Sequence, residues 1–160
     1  MDIFEYAMQM EKDGENYYRQ LAQSAGNKGV KTILTMLADE EVKHFNIIKD
    51  VKASITQTVT DTPLLDNVKN IFIQIQQSGE KLSFDVKQTE LYKKAQDIEE
   101  KSRKFYLEAA QKAGKEQKQI FLKLAEEEKK HYFLLENIIQ FVSRPEQWLE
   151  NAEFYHLEDY

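Results

Sequence analysis

The motif Glu-x-x-His occurs twice in this chain, as Glu41/His44 and as Glu128/His131, and the two copies are 87 residues apart. The surrounding residues agree as well, since the segment LADEEVKHF around the first copy is matched by LAEEEKKHY around the second. Self-similarity at a fixed spacing is the mark of an internal repeat. The sequence therefore predicts a fold built from two copies of one helical unit.

A pair of glutamates repeats in step with this motif. Glu11 and Glu99 are 88 residues apart, and each is followed seven residues later by a tyrosine, Tyr18 or Tyr106. Both glutamates interrupt a stripe of apolar residues at alternating spacings of three and four, which is the pattern of a helix that faces a bundle core. Six ionisable residues are thus predicted at core positions of four helices: Glu11, Glu41, His44, Glu99, Glu128 and His131.

The breakers in the chain divide it into two helical hairpins. Glycine and proline are scarce, with five and two residues, and long stretches without them favour helices. We predict an all-α four-helix bundle over residues 1–142, with hairpins at about 2–54 and 85–142. A long crossover at about 55–84, with one short helix over Leu64 to Gln77, joins helices 2 and 3. Residues 143–160 form a predicted C-terminal helical tail, and Asp2 is predicted to cap the first helix.

Buried carboxylates at four core positions need compensation. Without partners each would cost several kcal/mol, whereas two divalent cations would balance four glutamates. A glutamate and a histidine three residues apart lie on one face of a helix and can reach one ion. Oxygen ligands with one imidazole per metal suit iron or manganese, or a mixed pair. Gly14 and Ser102, one turn beyond Glu11 and Glu99, would leave space beside the metals for an oxygen-containing substrate.

Composition excludes several other classes of function. The chain has no cysteine, which rules out disulfides, thiolate zinc sites and iron–sulfur clusters. A formal charge of −6, without a concentrated basic segment, argues against a nucleic-acid partner. No segment approaches the roughly twenty apolar residues of a membrane span, and the N-terminus does not have the pattern of a signal peptide. We therefore expect a soluble, cytoplasmic protein.

The ordered set of glutamates, histidines and tyrosines resembles the rubrerythrin family, within the ferritin-like di-iron superfamily, and especially members without a rubredoxin domain. The resemblance covers all four helices. It implies a ferritin-like bundle that holds two iron ions, with Glu41 and Glu128 bridging them. It also implies two further ligands for each iron, namely Glu11 with His44 and Glu99 with His131.

The activity that the resemblance implies is that of a peroxidase, an oxidoreductase that protects against oxidative stress by reducing hydrogen peroxide or dioxygen. Two departures from the family pattern bear on it. Typical members have a further glutamate one turn after the ligand of the third helix, where this chain has Ser102, and many carry a four-cysteine rubredoxin iron. Without cysteine, the chain would depend on an external electron donor such as a rubredoxin. A homodimer or other small homo-oligomer is expected.

Two other functions stay open at this point. The same centre could be a ferroxidase that feeds an iron store, as in ferritins, in which case the chain would form a large hollow assembly. The bundle could also be a metal-free interaction module.

Residues outside the six-residue set have more than one interpretation. Tyr18 and Tyr106 would either pack in the core or orient a metal ligand. Glu40 and Glu127 could reach the second nitrogen of an opposing histidine, but solvent exposure is the preferred interpretation. His156 is expected at the surface. The aromatic residues of the tail are expected to pack on the bundle or on another subunit: Trp148, Phe154 and Tyr155.

Overall fold

The computed structural model describes residues 2–53, 64–79 and 87–150, and within these ranges the regular structure is entirely helical. It contains six α-helices: α1 (Ile3–Ser24), α2 (Lys28–Lys52), α3 (Leu64–Ser78), α4 (Lys87–Lys112), α5 (Lys115–Ser143) and α6 (Pro145–Glu150). The predicted all-α ferritin-like bundle is confirmed, and the helix bounds lie within a few residues of those expected from the breakers.

Two hairpins form the body of the bundle. Helix α1 packs mainly against α2, and α4 packs mainly against α5, while α1 also contacts α4 and α2 also contacts α5. Helix α3, in the connection between the hairpins, lies against α2, and α6 lies against the end of α5. This arrangement is the bundle with one long crossover, and it leaves the inner faces of four long helices turned toward a shared interior.

Local caps fix the starts of the first two helices. The Asp2 side chain accepts a hydrogen bond of 2.8 Å from the backbone N–H of Glu5, as predicted. The Asn27 side chain accepts one of 3.0 Å from the backbone N–H of Val30 at the start of α2. Each cap satisfies an amide that has no partner within its helix. The Asn27 cap sets where α2 begins after the turn that follows α1.

One end of the bundle is closed by an aromatic cluster under the crossover. Trp148 is fully buried, and its ring centroid lies 4.6 Å from that of Phe72 in α3 and 5.6 Å from that of Phe141 in α5. The expectation that Trp148 packs on the bundle is confirmed. The corresponding expectations for Phe154, Tyr155 and His156 lie outside the described residues.

Gly29 makes room for a side chain of α3 where that helix contacts α2. A Cβ atom added at Gly29 would lie 2.5 Å from Cδ1 of Ile75, which is closer than two carbon atoms can pack. The absence of a side chain at Gly29 therefore lets the crossover helix approach α2. None of the helices in the described ranges has the length and apolar character needed to cross a membrane.

Candidate metal centre

All six residues predicted at core positions are brought together in the middle of the bundle. They come from α1, α2, α4 and α5, and their exposed fractions lie between 0% and 4%. The apolar positions on either side of them are also buried, including Leu37 and Ile48 in α2 and Leu124 and Leu135 in α5. The apolar stripes predicted from the sequence thus face the interior of the bundle, and the six ionisable residues lie within these stripes.

The six residues form two overlapping sets of four. In one set, Glu11, Glu41, His44 and Glu128 each offer a ligand atom, and these atoms all lie within 4.8 Å of one another. In the second set the same holds for Glu41, Glu99, Glu128 and His131. Glu41 and Glu128 belong to both sets. The geometry suits a pair of metal ions with two shared carboxylates, and the bridging role that the resemblance implies for Glu41 and Glu128 stays a prediction.

Both histidines turn the same nitrogen toward these carboxylates. His44 Nδ1 lies 2.9 Å from Oε1 of Glu128, and His131 Nδ1 lies 3.5 Å from an oxygen of Glu41 and of Glu99. The two imidazole rings are nearly parallel, with centroids 5.6 Å apart and an angle of 6° between their planes. The rings therefore present Nδ1 as the atom available to a metal.

Several polar atoms of the centre are buried without a hydrogen-bond partner. They are one carboxylate oxygen of each glutamate and both ring nitrogens of His131: Glu11 Oε2, Glu41 Oε1, Glu99 Oε2, Glu128 Oε2, and His131 Nδ1 and Nε2. In native proteins nearly all buried polar atoms have a hydrogen-bond partner, so a cluster of unpaired ones needs an explanation. Ligation of two cations by these oxygen and nitrogen atoms provides one, and the donor set suits iron.

Two buried tyrosines fix the outer carboxylates. The Tyr106 hydroxyl donates a hydrogen bond of 2.5 Å to Oε1 of Glu11, and the Tyr18 hydroxyl donates to Oε1 of Glu99. Each tyrosine thus holds the glutamate of the opposite hairpin. This result favours the interpretation in which Tyr18 and Tyr106 orient ligands, because each hydroxyl leaves the second oxygen of its carboxylate free for a metal.

The same hydrogen bonds define the symmetry of the centre. Tyr18 in α1 pairs with Glu99 in α4, and Glu11 in α1 pairs with Tyr106 in α4, so α1 and α4 run antiparallel. Exchanging the two halves of the repeat converts each of these hydrogen bonds into the other. The same operation converts each set of four ligands into the other. The side-chain contacts of the centre are therefore related by a pseudo-two-fold axis across the bundle, as expected for a fold built from two copies of one helical unit.

The two shared glutamates have strongly raised pKa values. Burial raises the pKa of Glu41 well above 4.5, and repulsion by Glu11 and Glu99 raises it further. Burial likewise raises the pKa of Glu128, reinforced by repulsion from Glu99, Glu41 and Glu11. Both carboxyl groups are thus held toward their protonated form in the metal-free protein. A metal that binds them must displace protons.

The two outer glutamates behave in the opposite way. Burial alone would raise the pKa of Glu99, but its interactions with Glu128, His131 and Tyr18, which include the positive charge of His131, lower it to about 2. Burial also acts to raise the pKa of Glu11, and it is outweighed by the charge of His44 and by hydrogen bonds that include the one from Tyr106. Neighbouring groups therefore keep Glu11 and Glu99 ionised, ready to bind a cation.

Glu40 and Glu127 correct one expectation from the sequence. They are 5% and 3% exposed, so the preference for solvent exposure is wrong. Glu40 offers an oxygen within 4.8 Å of a nitrogen of both His44 and His131. Although burial lowers the pKa of His131, attraction by Glu99, Glu40 and Glu127 raises it above 6.5. Burial is tolerated because each carboxylate also faces a lysine of its own helix, at 3.4 Å in α2 and 3.5 Å in α5.

The position of Glu40 beside the two imidazoles predicts a role in metal affinity. A carboxylate near a ligating imidazole orients the ring and strengthens it as a ligand, and removing such a partner typically costs about 10-fold to 100-fold in affinity. We expect Glu40→Gln to weaken metal binding by about tenfold or more, as measured by competition with a chelator. Asp39→Asn, one residue away and exposed, is the matched control. Unchanged affinity in Glu40→Gln would show that Glu40 serves only to neutralise Lys43.

The space expected beside Gly14 is filled by a side chain of the centre. A Cβ atom added at Gly14 would lie 3.0 Å from Oε2 of Glu41 and 3.3 Å from its carboxyl carbon. Gly14 thus makes room for the Glu41 carboxylate rather than for a separate molecule. Ser102, at the equivalent position of α4, is also buried.

The fold and the site together define a ferritin-like bundle whose buried carboxylate and histidine cluster fits a di-iron centre. Comparison with protein families supports the same class, because a model of the rubrerythrin family matches residues 2–139. The chain therefore belongs to the rubrerythrin family. No significant match was found among curated proteins or among solved structures.

Proposed function

We propose that this rubrerythrin-family chain is a di-iron oxidoreductase that reduces hydrogen peroxide, or dioxygen, with electrons from an external donor. The observation that carries the proposal is the pair of four-residue sets that share Glu41 and Glu128. Shared ligands would hold two metals side by side, and reduction of one peroxide to two waters needs two electrons and two protons. Two ferrous ions, when bound, supply these electrons from adjacent positions.

The residues of the chain support this chemistry in three ways. Glu11, Glu99 and the two histidines provide separate ligands for each metal, and the tyrosine hydroxyls hold the two outer carboxylates in place. The burial of all six residues keeps bulk water from the centre, which strengthens electrostatic interactions within it. An external donor is needed because the chain has no cysteine with which to hold a second iron centre.

The proposal predicts fast oxidation of bound iron by peroxide. Protein loaded without oxygen at two ferrous ions per chain is mixed with one equivalent of hydrogen peroxide in a stopped-flow instrument. We expect oxidation to be faster than that of free ferrous ion in the same buffer by at least about tenfold, equivalent to a barrier lowered by about 1.4 kcal/mol. The variant Glu41→Ala/Glu128→Ala, in the same mixture, should behave like free iron.

The outcomes separate the proposed activity from its alternatives. Equal oxidation rates with and without the protein would refute the peroxidase proposal. Rapid oxidation by dioxygen, with continued uptake far beyond two irons per chain in a large hollow assembly, would instead identify a ferroxidase with a storage function. Lack of iron binding in protein produced with added iron would identify a metal-free bundle. Native mass and metal content of the same sample distinguish these cases.

A further inference from the structure

A third set of potential metal ligands lies beside the two sets that share Glu41 and Glu128. It consists of Glu40, His44 and His131, each of which offers a ligand atom within 4.8 Å of the other two. All three residues are buried. This third set contains two histidines and one glutamate, whereas each of the paired sets contains one histidine and three glutamates.

His131 provides independent evidence for a cation at the third set. Both of its ring nitrogens are buried without a hydrogen-bond partner. Its Nδ1 lies 3.5 Å from an oxygen of Glu41 and of Glu99, so the paired sets account for Nδ1 but not for Nε2. Buried polar atoms nearly always have a partner in native proteins. A cation held beside Glu40 would provide one for the second nitrogen.

The present counter-ion of Glu40 can be exchanged for a metal. Glu40 Oε1 lies 3.4 Å from Nζ of Lys43, and the Lys43 side chain is 57% exposed. The ammonium group can therefore turn into water when another cation takes its place. A divalent cation bound to Glu40 leaves this buried carboxylate paired, which is the condition under which its burial is tolerated.

The composition of the third set favours zinc. Imidazole nitrogen suits zinc well, and zinc exceeds ferrous iron in affinity for most sites of nitrogen and oxygen ligands. Zinc is commonly held by three protein ligands with water in the fourth position. The three side chains of the third set provide these ligands, with a larger share of nitrogen than either paired set has.

We propose that Glu40, His44 and His131 form an inhibitory zinc site, which competes with the iron centre for its histidines. A neutral imidazole has one lone pair available to a metal. His44 belongs to one paired set and His131 to the other, so a zinc ion bound by both takes the nitrogen ligand of each iron. One zinc therefore excludes two irons. The inference rests on the six-residue iron centre and not on its redox activity.

The ratio of zinc bound to iron excluded tests the proposal in the wild-type protein. Chelator-treated protein receives one equivalent of zinc and then excess ferrous iron without oxygen, and its metal content is measured after desalting. We expect about one zinc and almost no iron per chain, against about two irons without zinc. X-ray absorption at the zinc edge should find about two imidazoles per zinc, because the third set contains both histidines.

Variants separate the third set from the paired sets. Glu41→Ala/Glu128→Ala removes the shared ligands and should still bind about one zinc per chain. Adding Glu40→Gln should weaken zinc binding by more than about a hundredfold, measured by competition with a coloured chelator, since loss of a group that only orients a ligand typically costs about 10-fold to 100-fold. Adding Asp39→Asn instead, at an exposed position, is the matched control and should leave zinc affinity unchanged.

Two outcomes would overturn the proposal. If each zinc replaces one iron and has a single imidazole ligand, zinc enters the paired sets instead. If Glu40→Gln weakens zinc binding by about a hundredfold or less, Glu40 only orients the histidines. Should Glu41→Ala/Glu128→Ala lose its helical circular dichroism, Glu11→Ala/Glu99→Ala replaces it, because it removes one ligand from each paired set. Failure of peroxide to oxidise bound iron bears on the redox function alone.

Discussion

Replacing both shared glutamates with glutamine is expected to stabilise the metal-free protein while abolishing its stabilisation by iron. Glu41 and Glu128 are buried close to two other carboxylates, and repulsion among these groups contributes to their raised pKa values. Glutamine has nearly the same shape and no charge. Glutamine cannot ionise, so it removes the free-energy cost of keeping these carboxyl groups protonated in the folded protein, and we expect a gain of about 2 kcal/mol, or about 4–8 °C in melting temperature for a chain of this size.

The gain should depend on pH with a definite sign. Because the folded-state pKa values of Glu41 and Glu128 are raised above 4.5, the wild-type protein binds more protons when folded than when unfolded. Its metal-free stability therefore falls as the pH rises from about 5 through the folded-state values. Glutamine at both positions removes the part of this dependence that comes from Glu41 and Glu128. Thermal melts of chelator-treated wild-type and Glu41→Gln/Glu128→Gln protein at pH 5.5 and pH 8 should show a larger difference at pH 8.

Iron should reverse the order of stability. Wild-type protein gains about 4 kcal/mol when free iron exceeds its dissociation constant a thousandfold, whereas the double variant gains little. Asp39→Asn/Glu126→Gln, at two exposed acidic positions of the same helices, should stay within about 0.5 kcal/mol of wild type in both states. If the metal-free double variant is less stable than wild type, the two carboxyl groups form hydrogen bonds in the wild-type protein. The stabilisation by these bonds would then exceed the destabilisation by repulsion among the carboxylates.

Iron stoichiometry is expected to fall in two distinct steps when ligands are removed. Glu11 belongs to one set of four and Glu41 and Glu128 belong to both. Glu11→Ala should therefore lower the iron content from about two to about one per chain, while Glu41→Ala/Glu128→Ala should lower it to nearly zero. Metal analysis after anaerobic loading and desalting measures both values. Glu126→Ala, an exposed neighbour of Glu128, should bind as wild type does.

Other stoichiometries would be informative about the geometry. If Glu99→Ala leaves two irons in place while Glu11→Ala removes both, the two sites are not equivalent despite the repeat. If the double variant at the shared positions retains one iron, then Glu41 and Glu128 are not bridging ligands, and each metal is held mainly by its own outer glutamate and histidine.

The sequence predicted the helices and the grouping of the six ionisable residues because both follow from periodic spacing. Glu11 and Glu99 lie in apolar stripes, and a glutamate and histidine three residues apart share a helix face. The start of α1 followed from Asp2 and Glu5, which form a local cap. Such features depend on residues within one or two helical turns, and for that reason they can be read without knowledge of the fold.

The remaining features depend on how the helices are placed against one another. The register of α1 against α4 determines that Tyr18 donates to Glu99 rather than to Glu11. The burial of Glu40 and Glu127 depends on the closeness of α2 and α5, although the recurrence of both residues beside a lysine three positions later was a signal in the sequence. The Glu41 carboxylate next to Gly14 reflects a side-chain conformation, which residue spacing does not specify.

The pseudo-two-fold axis of the centre has an evolutionary consequence. Since each hairpin brings one outer glutamate, one shared glutamate and one histidine, two identical hairpins of about fifty residues could assemble the full set as a symmetric pair. Gene duplication and fusion of such an ancestor would preserve the ligands while freeing each half to change elsewhere. The contrast between Tyr6 and Lys94, and that between Gly14 and Ser102, are differences that a dimer of identical hairpins could never acquire.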